Sequence, residues 1–267
     1  MLYLHLHYDT DNQERPKMCI LLKSCQKLSQ DCVGCHTGPP GCSNSEEECQ
    51  FAIWSNLETG LLITETQNVR LISGEPNCNK KVKGLAVGGG GVTEKYCAGG
   101  GSGYVSMAVL DVKAHSDLLV IVGDGAMPNL EATASAVIDL SSLEEVINGG
   151  PGGSASLTDG GDGYSGGGAP GAMGGEKGEH GFDYGIFQAG NGSNFDISTH
   201  SFTIFSLTPG RGGRGEISTG GGGGGGVVID GDGEFPTHHD YQGEGFGGGA
   251  GGFNKTFGIQ GCVILEV

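Results

Sequence analysis

The sequence predicts an all-β protein, a β-sandwich or jelly roll whose long glycine-rich connections pack as polyglycine II helices, with little α-helix. Three observations carry this expectation. Short apolar and β-branched stretches recur along the chain with almost no helical periodicity, as in two-layer β architectures. Glycine supplies 56 of the 267 residues, about three times the usual share. The glycines come in runs, at Gly88–Gly91, Gly99–Gly101, Gly166–Gly168, Gly220–Gly226 and Gly247–Gly249, most of them close to an apolar stretch rather than in a polar tail.

Residues 1–18 are mostly polar and unpatterned and are expected to be poorly ordered. Residues 19–83 read as a cysteine-rich β segment, with Pro39-Pro40-Gly41 as a turn and Phe51–Trp54, Leu61–Ile63 and Val69–Ile72 as short strands. Composition changes near residue 84: 51 of the 56 glycines lie at or after it and 5 before. A boundary is therefore expected there, with 84–267 as the glycine-rich sandwich. Within it, Tyr104–Val112 mixes β-branched and apolar residues in a long strand pattern. Leu118–Val122 follows a turn at His115-Ser116-Asp117, and so short a connection predicts an antiparallel hairpin. Ala134–Ile138 is a third strand. Asp139–Ile147 is expected to form one or two helical turns closed by Asn148-Gly149. Phe202–Leu207 alternates, and Val227–Ile229 and Cys262–Val267 complete the set.

The connections 150–200 and 208–226 exceed the ~12–15 residues beyond which structureless loops are uncommon in compact domains. Glycine buries no side chain and loses more backbone entropy on ordering than any other residue, so an isolated run is a flexible linker. A glycine chain also adopts the extended threefold helix of polyproline II type, rising about 3.1 Å per residue. That helix has no internal hydrogen bonds. Without side chains in the way, however, such helices lie side by side and bond across to one another, aided by weak Cα–H···O contacts. Several runs in one domain supply the neighbours each needs. Gly220–Gly226, which leads straight into Val227-Val228-Ile229, is thus expected to be one rank of an ordered layer.

Lys and Arg total 14 against 31 Asp and Glu, a formal net charge of −17. Such a surface disfavours nucleic acid, whose binding needs phosphate neutralisation, and favours a basic partner. No run of about 18 apolar residues occurs, so no membrane span is expected in this chain. Nine cysteines stand at Cys19, Cys25, Cys32, Cys35, Cys42, Cys49, Cys78, Cys97 and Cys262. Their density reads as a disulfide cluster formed in an oxidising, extracellular compartment, the odd count leaving one thiol or a link to another chain. Asn191-Gly192-Ser193 and Asn254-Lys255-Thr256 have the form of N-glycosylation acceptors. Met1–His7 lacks the basic start and unbroken apolar core of a secretory signal. Set beside the disulfide reading, this implies a fragment of a longer secreted protein or a mis-started gene model.

The stretch from Gly99-Gly100-Gly101-Ser102-Gly103-Tyr104 through Leu118–Val122 to Gly123-Asp124-Gly125 resembles the extracellular glycine-rich domain of the anaplastic lymphoma kinase and leukocyte tyrosine kinase ectodomains. The shared pattern is a glycine run, an aromatic-led strand, a short turn, and an apolar strand ending in Gly-x-Gly. Gly243–Gly252 around Phe246 and the closing apolar strand fit the same design. The resemblance spans 84–267. It implies a β-sandwich bearing packed polyglycine helices, in a module that binds small basic cytokines outside the cell. Receptor status and ligand-contact residues are not carried over. Related glycine-rich folds occur in phage adhesins and a springtail antifreeze protein. Separately, Cys35-His36-Thr37-Gly38-Pro39-Pro40-Gly41-Cys42 followed by Cys49-Gln50-Phe51-Ala52-Ile53-Trp54 is similar to the opening strand of extracellular DOMON domains, β-sandwiches of which some bind haem or sugars.

Candidate chemistry is sparse. Cys32-Val33-Gly34-Cys35-His36 has the form of a haem attachment or metal half-site, but no second Cys-x-x-Cys completes a zinc site, and a structural disulfide is the preferred reading. Asp230, Asp232 and Glu234 place three carboxylates in five residues without the continuation of a calcium loop; Asp159-Gly160-Gly161-Asp162 is weaker still. A solvated turn is preferred for both. His238-His239-Asp240 reads as an exposed loop. Gly-x-Gly-x-x-Gly spellings abound, but none opens a convincing helix after a strand, so nucleotide binding is rejected. Arg211-Gly212-Gly213-Arg214-Gly215 resembles an RGG box in an otherwise acidic chain. No nucleophile elbow or oxyanion motif is present. The aromatics set among glycines, Tyr164, Phe182, Tyr184, Phe187, Phe195, Tyr241, Phe246, Phe253 and Phe257, are read mainly as covers for the glycine layers and secondarily as a binding surface. The expected function is a non-catalytic extracellular interaction module without a cofactor, binding a protein partner, with a basic ligand favoured, or belonging to a matrix. Two alternatives remain: a structural or surface-active glycine-rich material (adhesive, cuticle or ice-binding), and a DOMON-like haem- or sugar-binding domain.

Overall fold

The computed structural model describes residues 3–7, 60–72, 80–94, 97–112, 116–127, 130–216, 220–230, 242–252 and 257–266. Among them the strands are β1 (Tyr3–His7), β2 (Gly60–Ile63), β3 (Gln67–Ile72), β4 (Lys80–Val87), β5 (Val105–Val112), β6 (Ser116–Ile121), β7 (Ser135–Asp139), β8 (Glu144–Gly149), β9 (Ser206–Pro209), β10 (Val227–Asp230) and β11 (Cys262–Glu266), with one short 3-10 turn at Ile197–Thr199. The fold is all-β, and every strand pairing is antiparallel. A five-stranded sheet runs β1-β3-β6-β7-β8, a four-stranded sheet runs β2-β11-β4-β5, and β9 and β10 form a two-stranded ribbon.

β11 organises the packing. Its sequence Cys262-Val263-Ile264-Leu265-Glu266 is buried at every position, as a continuous apolar run requires of a strand covered on both faces. Val263 and Leu265 enter the core shared by the two large sheets, with Leu61, Ile63, Val82, Ala86, Val120, Val137 and Ile147. Cys262 and Ile264 join a second core with Leu85, Val87, Tyr164, Phe202, Phe205, Leu207, Val227, Ile229 and Phe246. Strand alternation sorts β4 in the same way, Val82 and Ala86 to one core, Leu85 and Val87 to the other. The second core joins the four-stranded sheet to the glycine-rich connections. At the end of β11 the buried Glu266 carboxylate accepts the Thr203 amide at 2.7 and 2.8 Å and the Ile204 amide at 3.1 Å, which fastens that segment over the sheet.

Two local expectations are overturned. β5 and β6 do not form a hairpin: β5 pairs with β4, whereas β6 pairs with β3 and β7 in the other sheet. The partner of β5 is Lys80–Val87, whose own alternation is obscured by its lysines and by the glycines that begin at residue 84. Asp139–Ile147 is not helical. Asp139 Oδ1 accepts the Ser141 amide at 2.8 Å, and the Leu143 amide donates to the Asp139 carbonyl at 2.7 Å. Leu143 turns the chain at φ 58°, and Glu144–Gly149 returns as β8. Residue 84 falls inside β4, and β2 and β3 belong to the same two sheets as the later strands, so the break in composition is not a break in packing. Tyr3–His7 pairs with β3. Phe51–Trp54 lies outside the described residues.

The five glycine runs are buried throughout. Gly220–Gly226 makes its hydrogen bonds with a period of three. Gly221 and Gly224 donate to the carbonyls of Cys97 and Gly100; Gly222 and Gly225 donate to those of Ala172 and Gly175. The Gly221 and Gly224 carbonyls accept from Gly252 and Gly249, and those of Gly223 and Gly226 accept from Gly213 and Gly210. Each step of three along the run is answered by a step of three along a neighbour, parallel for the first two neighbours and antiparallel for the last two. Packed threefold rods require this; a β-ladder, with its period of two, does not produce it. Residues 160–164 repeat the pattern: Gly160 and Gly163 donate to Gln188 and Asn191, and Gly161 and Tyr164 to Gly99 and Ser102.

Close approach makes glycine obligatory along Gly221–Gly226. A Cβ added at Gly223 would lie 2.0 Å from the Gly249 carbonyl oxygen and 2.5 Å from its carbonyl carbon. Gly185 is the contrast: it sits at φ 63° with nothing within 4 Å of an added Cβ. Gly223→Ala is therefore expected to lower the unfolding free energy by more than about 3 kcal/mol, against ~1–2 kcal/mol for Gly185→Ala. Urea unfolding followed by circular dichroism measures both; equal losses would refute the packed-rod account.

Candidate interaction surface

The glycine layer has few side chains of its own, and several of the exposed ones are apolar and sit on two turns. The first closes through reciprocal backbone bonds, Tyr184 N–H to the Phe187 carbonyl at 3.2 Å and Phe187 N–H to the Tyr184 carbonyl at 3.0 Å. Gly185 supplies the positive φ at its tip, and Asp183 Oδ1 braces the base by accepting the Ala189 amide at 2.7 Å. The Phe182 amide donates to the Met173 carbonyl at 3.0 Å, which brings Met173 alongside. Ile186 is 90% exposed, Phe182 56%, Met173 48% and Tyr184 44%. The second turn is Ser156–Asp159. Its Ser156 Oγ accepts the Asp159 amide at 2.8 Å and the Thr158 amide at 3.2 Å, and this raises Leu157, 74% exposed, at the tip. The Gly160 amide donates to the Gln188 carbonyl at 2.9 Å and ties the two turns together. Each turn carries an exposed carboxylate, Asp183 on one and Asp159 on the other.

The aromatics divide. Tyr164 and Phe246 are buried and cover the layer, Phe187 and Phe195 are half-buried, and Phe182, Tyr184 and Phe257 are exposed. Tyr241 and Phe253 lie outside the described residues. Sequence reasoning treated these rings as one group. For Phe182 and Tyr184 the exposure goes with the turn chemistry of Asp183 and Gly185, and that signal is readable in the sequence.

The other candidates are placed as follows. Cys19, Cys25, Cys32, Cys35, Cys42, Cys49 and Cys78 lie outside the described residues, as do Asp232, Glu234, Asn254 and His238-His239-Asp240. Cys97 and Cys262 are both buried. Cys262 is packed among the apolar side chains of the second core, and burial pushes its pKa far up. Burial, and then the Glu94 charge, raises that of Cys97. Asp230 ends β10. Asn191 is exposed, with its Nδ2 donating to Asp162 Oδ1 at 3.1 Å. Among the described residues no group of three or more His, Cys, Asp or Glu is placed to hold a metal ion. Asp196, Ser198 and His200 fall close together, but Ser198 Oγ donates to Asp196 Oδ1 at 2.6 Å and the His200 ring stacks on Phe195 at 4.9 Å. These groups cap the 3-10 turn rather than form a nucleophile–base pair, and the hydrogen bonds from Ser198 lower the Asp196 pKa. No family model, curated protein or solved structure is found to match the chain.

Tyr164 is fully buried, and its hydroxyl makes no hydrogen bond of normal geometry, although the Ile197 backbone lies close. Burial, then the Asp196 charge, pushes its pKa well above the ordinary value. The folded state thus prefers the neutral phenol. That stabilisation is complete below the unfolded pKa of about 10 and is lost as pH rises above it. Tyr164→Phe removes a buried unpaired hydroxyl, so the thermal midpoint at neutral pH should stay level or rise. The variant should also lose less stability than the parent above about pH 10. Thermal melts across the alkaline range compare the two; a variant that is less stable at neutral pH refutes the unpaired hydroxyl.

Proposed function

We propose that this chain is a non-catalytic extracellular interaction module that binds a basic protein partner through the Phe182–Phe187 and Ser156–Asp159 turns. The observation that carries the reading is the pairing of exposed apolar side chains, Ile186 above all, with carboxylates on braced turns. Rigid aromatic and aliphatic anchors of this kind supply most of the binding energy in protein interfaces. A net charge of −17 steers basic proteins toward the surface. The extracellular setting rests on the cysteine density of residues 19–49 and on the likeness to receptor glycine-rich domains.

The test is a binding screen of the full chain against a panel of basic proteins at physiological salt, with Ile186→Asp and Tyr184→Ala alongside. Ile186→Asp is expected to weaken capture at least ~10-fold, the usual scale of a hot-spot loss, without a change in the circular dichroism melt. A panel that returns nothing above background sinks the proposal.

A further inference from the structure

Two charged spellings in the glycine layer match each other: Arg211-Gly212-Gly213-Arg214 and Asp159-Gly160-Gly161-Asp162. In both, the four positions run exposed, half-buried, buried, exposed. In both, the buried glycine bonds inward, Gly213 to the Gly223 carbonyl and Gly161 to the Gly99 carbonyl. Asp162 and Arg211 lie in threefold rods, with Asp159 and Arg214 at the rods' ends, and residues three apart along such a rod leave on one face about 9 Å apart. The layer thus carries an arginine rank and an aspartate rank of equal spacing.

The two ranks stand on different rods. The 210–213 rod bonds to the 220–226 rod, which bonds to the 97–102 rod through Gly224 and Gly100, and the 97–102 rod bonds to the 160–164 rod. Two rods intervene, so the ranks belong to separate parts of the layer's surface. The aspartates are held by neutral donors: Asp162 Oδ1 takes the Asn191 amide at 2.6 Å and its Nδ2 at 3.1 Å, and Asp159 Oδ2 takes the Thr158 and Ser156 hydroxyls at 3.0 and 3.3 Å. None of these bonds cancels their charge. On the arginine rod, the Glu244 carboxylate is tied to the Arg211 amide at 3.2 Å, and Glu216 follows Arg214 on the exposed side.

We propose that the glycine layer joins to a second copy of this chain by setting the Arg211/Arg214 rank of one molecule against the Asp159/Asp162 rank of the next. Rods of equal period meet in register, as a strand adds to a sheet edge. The two faces differ, so the contact is head-to-tail and builds a ring or an open chain. Asp159 also borders the Leu157 turn, so self-association and partner capture compete for that edge. The arginine rank lies outside the partner surface, and its variants leave that surface intact.

Sedimentation velocity on the full chain over a hundredfold concentration range tests this. Species larger than the monomer are expected at physiological ionic strength. They should weaken at least tenfold near 1 M salt, where the screening length falls to ~3 Å. R211E/R214E changes only exposed side chains and is expected to be monomeric with an unchanged circular dichroism melt. An equimolar mixture of R211E/R214E with D159K/D162K should associate again, through the reversed pair and the native pair alike. If D159K/D162K does not fold, D159K alone takes its place in the mixture. A parent chain that stays monomeric throughout overturns the proposal, and so does an oligomer that survives R211E/R214E.

Discussion

Each backbone amide must find a partner once water is excluded, and for glycine the partner has to come from another segment of chain. That constraint governs this protein. A threefold rod satisfies none of its own amides, so no rod is stable alone. Gly220–Gly226 is held by the segments around Cys97–Gly100, Ala172–Gly175, Gly210–Gly213 and Gly249–Gly252 at once. The approach that permits this leaves no room for a Cβ, with carbonyl oxygens about 2 Å from where one would stand. The glycine content is therefore a packing requirement, comparable to a hydrophobic core in a different medium. The two apolar cores flank β11, and the second of them attaches the rods to the sandwich through Tyr164, Val227 and Phe246.

The all-β class, most strands and the ordering of the glycine runs were legible in the sequence, because each leaves a local mark. Cys262–Glu266 reads as a strand because it is apolar at four successive positions. The errors came where local marks conflicted with long-range pairing. Val105–Val112 and Ser116–Ile121 have the look of a hairpin, yet each is claimed by a strand whose own signal is weaker. Lys80–Val87 opens with lysines at 80, 81 and 83 and a glycine at 84, which mimic a boundary. Asp139–Ile147 has helix-like spacing, but the Asp139 side chain and the positive φ at Leu143 fold it into a turn.

The candidate surface was only half legible. The aromatics among glycines stand out in any reading, but whether a ring covers a rod or leaves it depends on tertiary bonds. Tyr164 and Tyr184 are both flanked by glycine on one side and an ordinary residue on the other. One is sealed in the core and the other is 44% exposed. The charge ranks are visible as spellings, one like an RGG box in an acidic chain and the other a solvated turn. Their common meaning depends on the period of three, which turns a four-residue spelling into two side chains on one face.

The position of β11 bears on how the chain reaches this state. Gly60 pairs with Glu266, and β11 also pairs with β4, so the four-stranded sheet closes around a strand that follows every glycine run in the sequence. Loop-closure entropy must be met before such distant contacts reward it, and folds dominated by them form slowly. Until β11 docks, β2 lacks its sheet partner and the β4 edge that β11 covers is open. The four-stranded sheet is therefore completed only after every glycine run has been made. In that interval the chain's carboxylates, by mutual repulsion, hold the unpaired glycine segments of neighbouring chains apart.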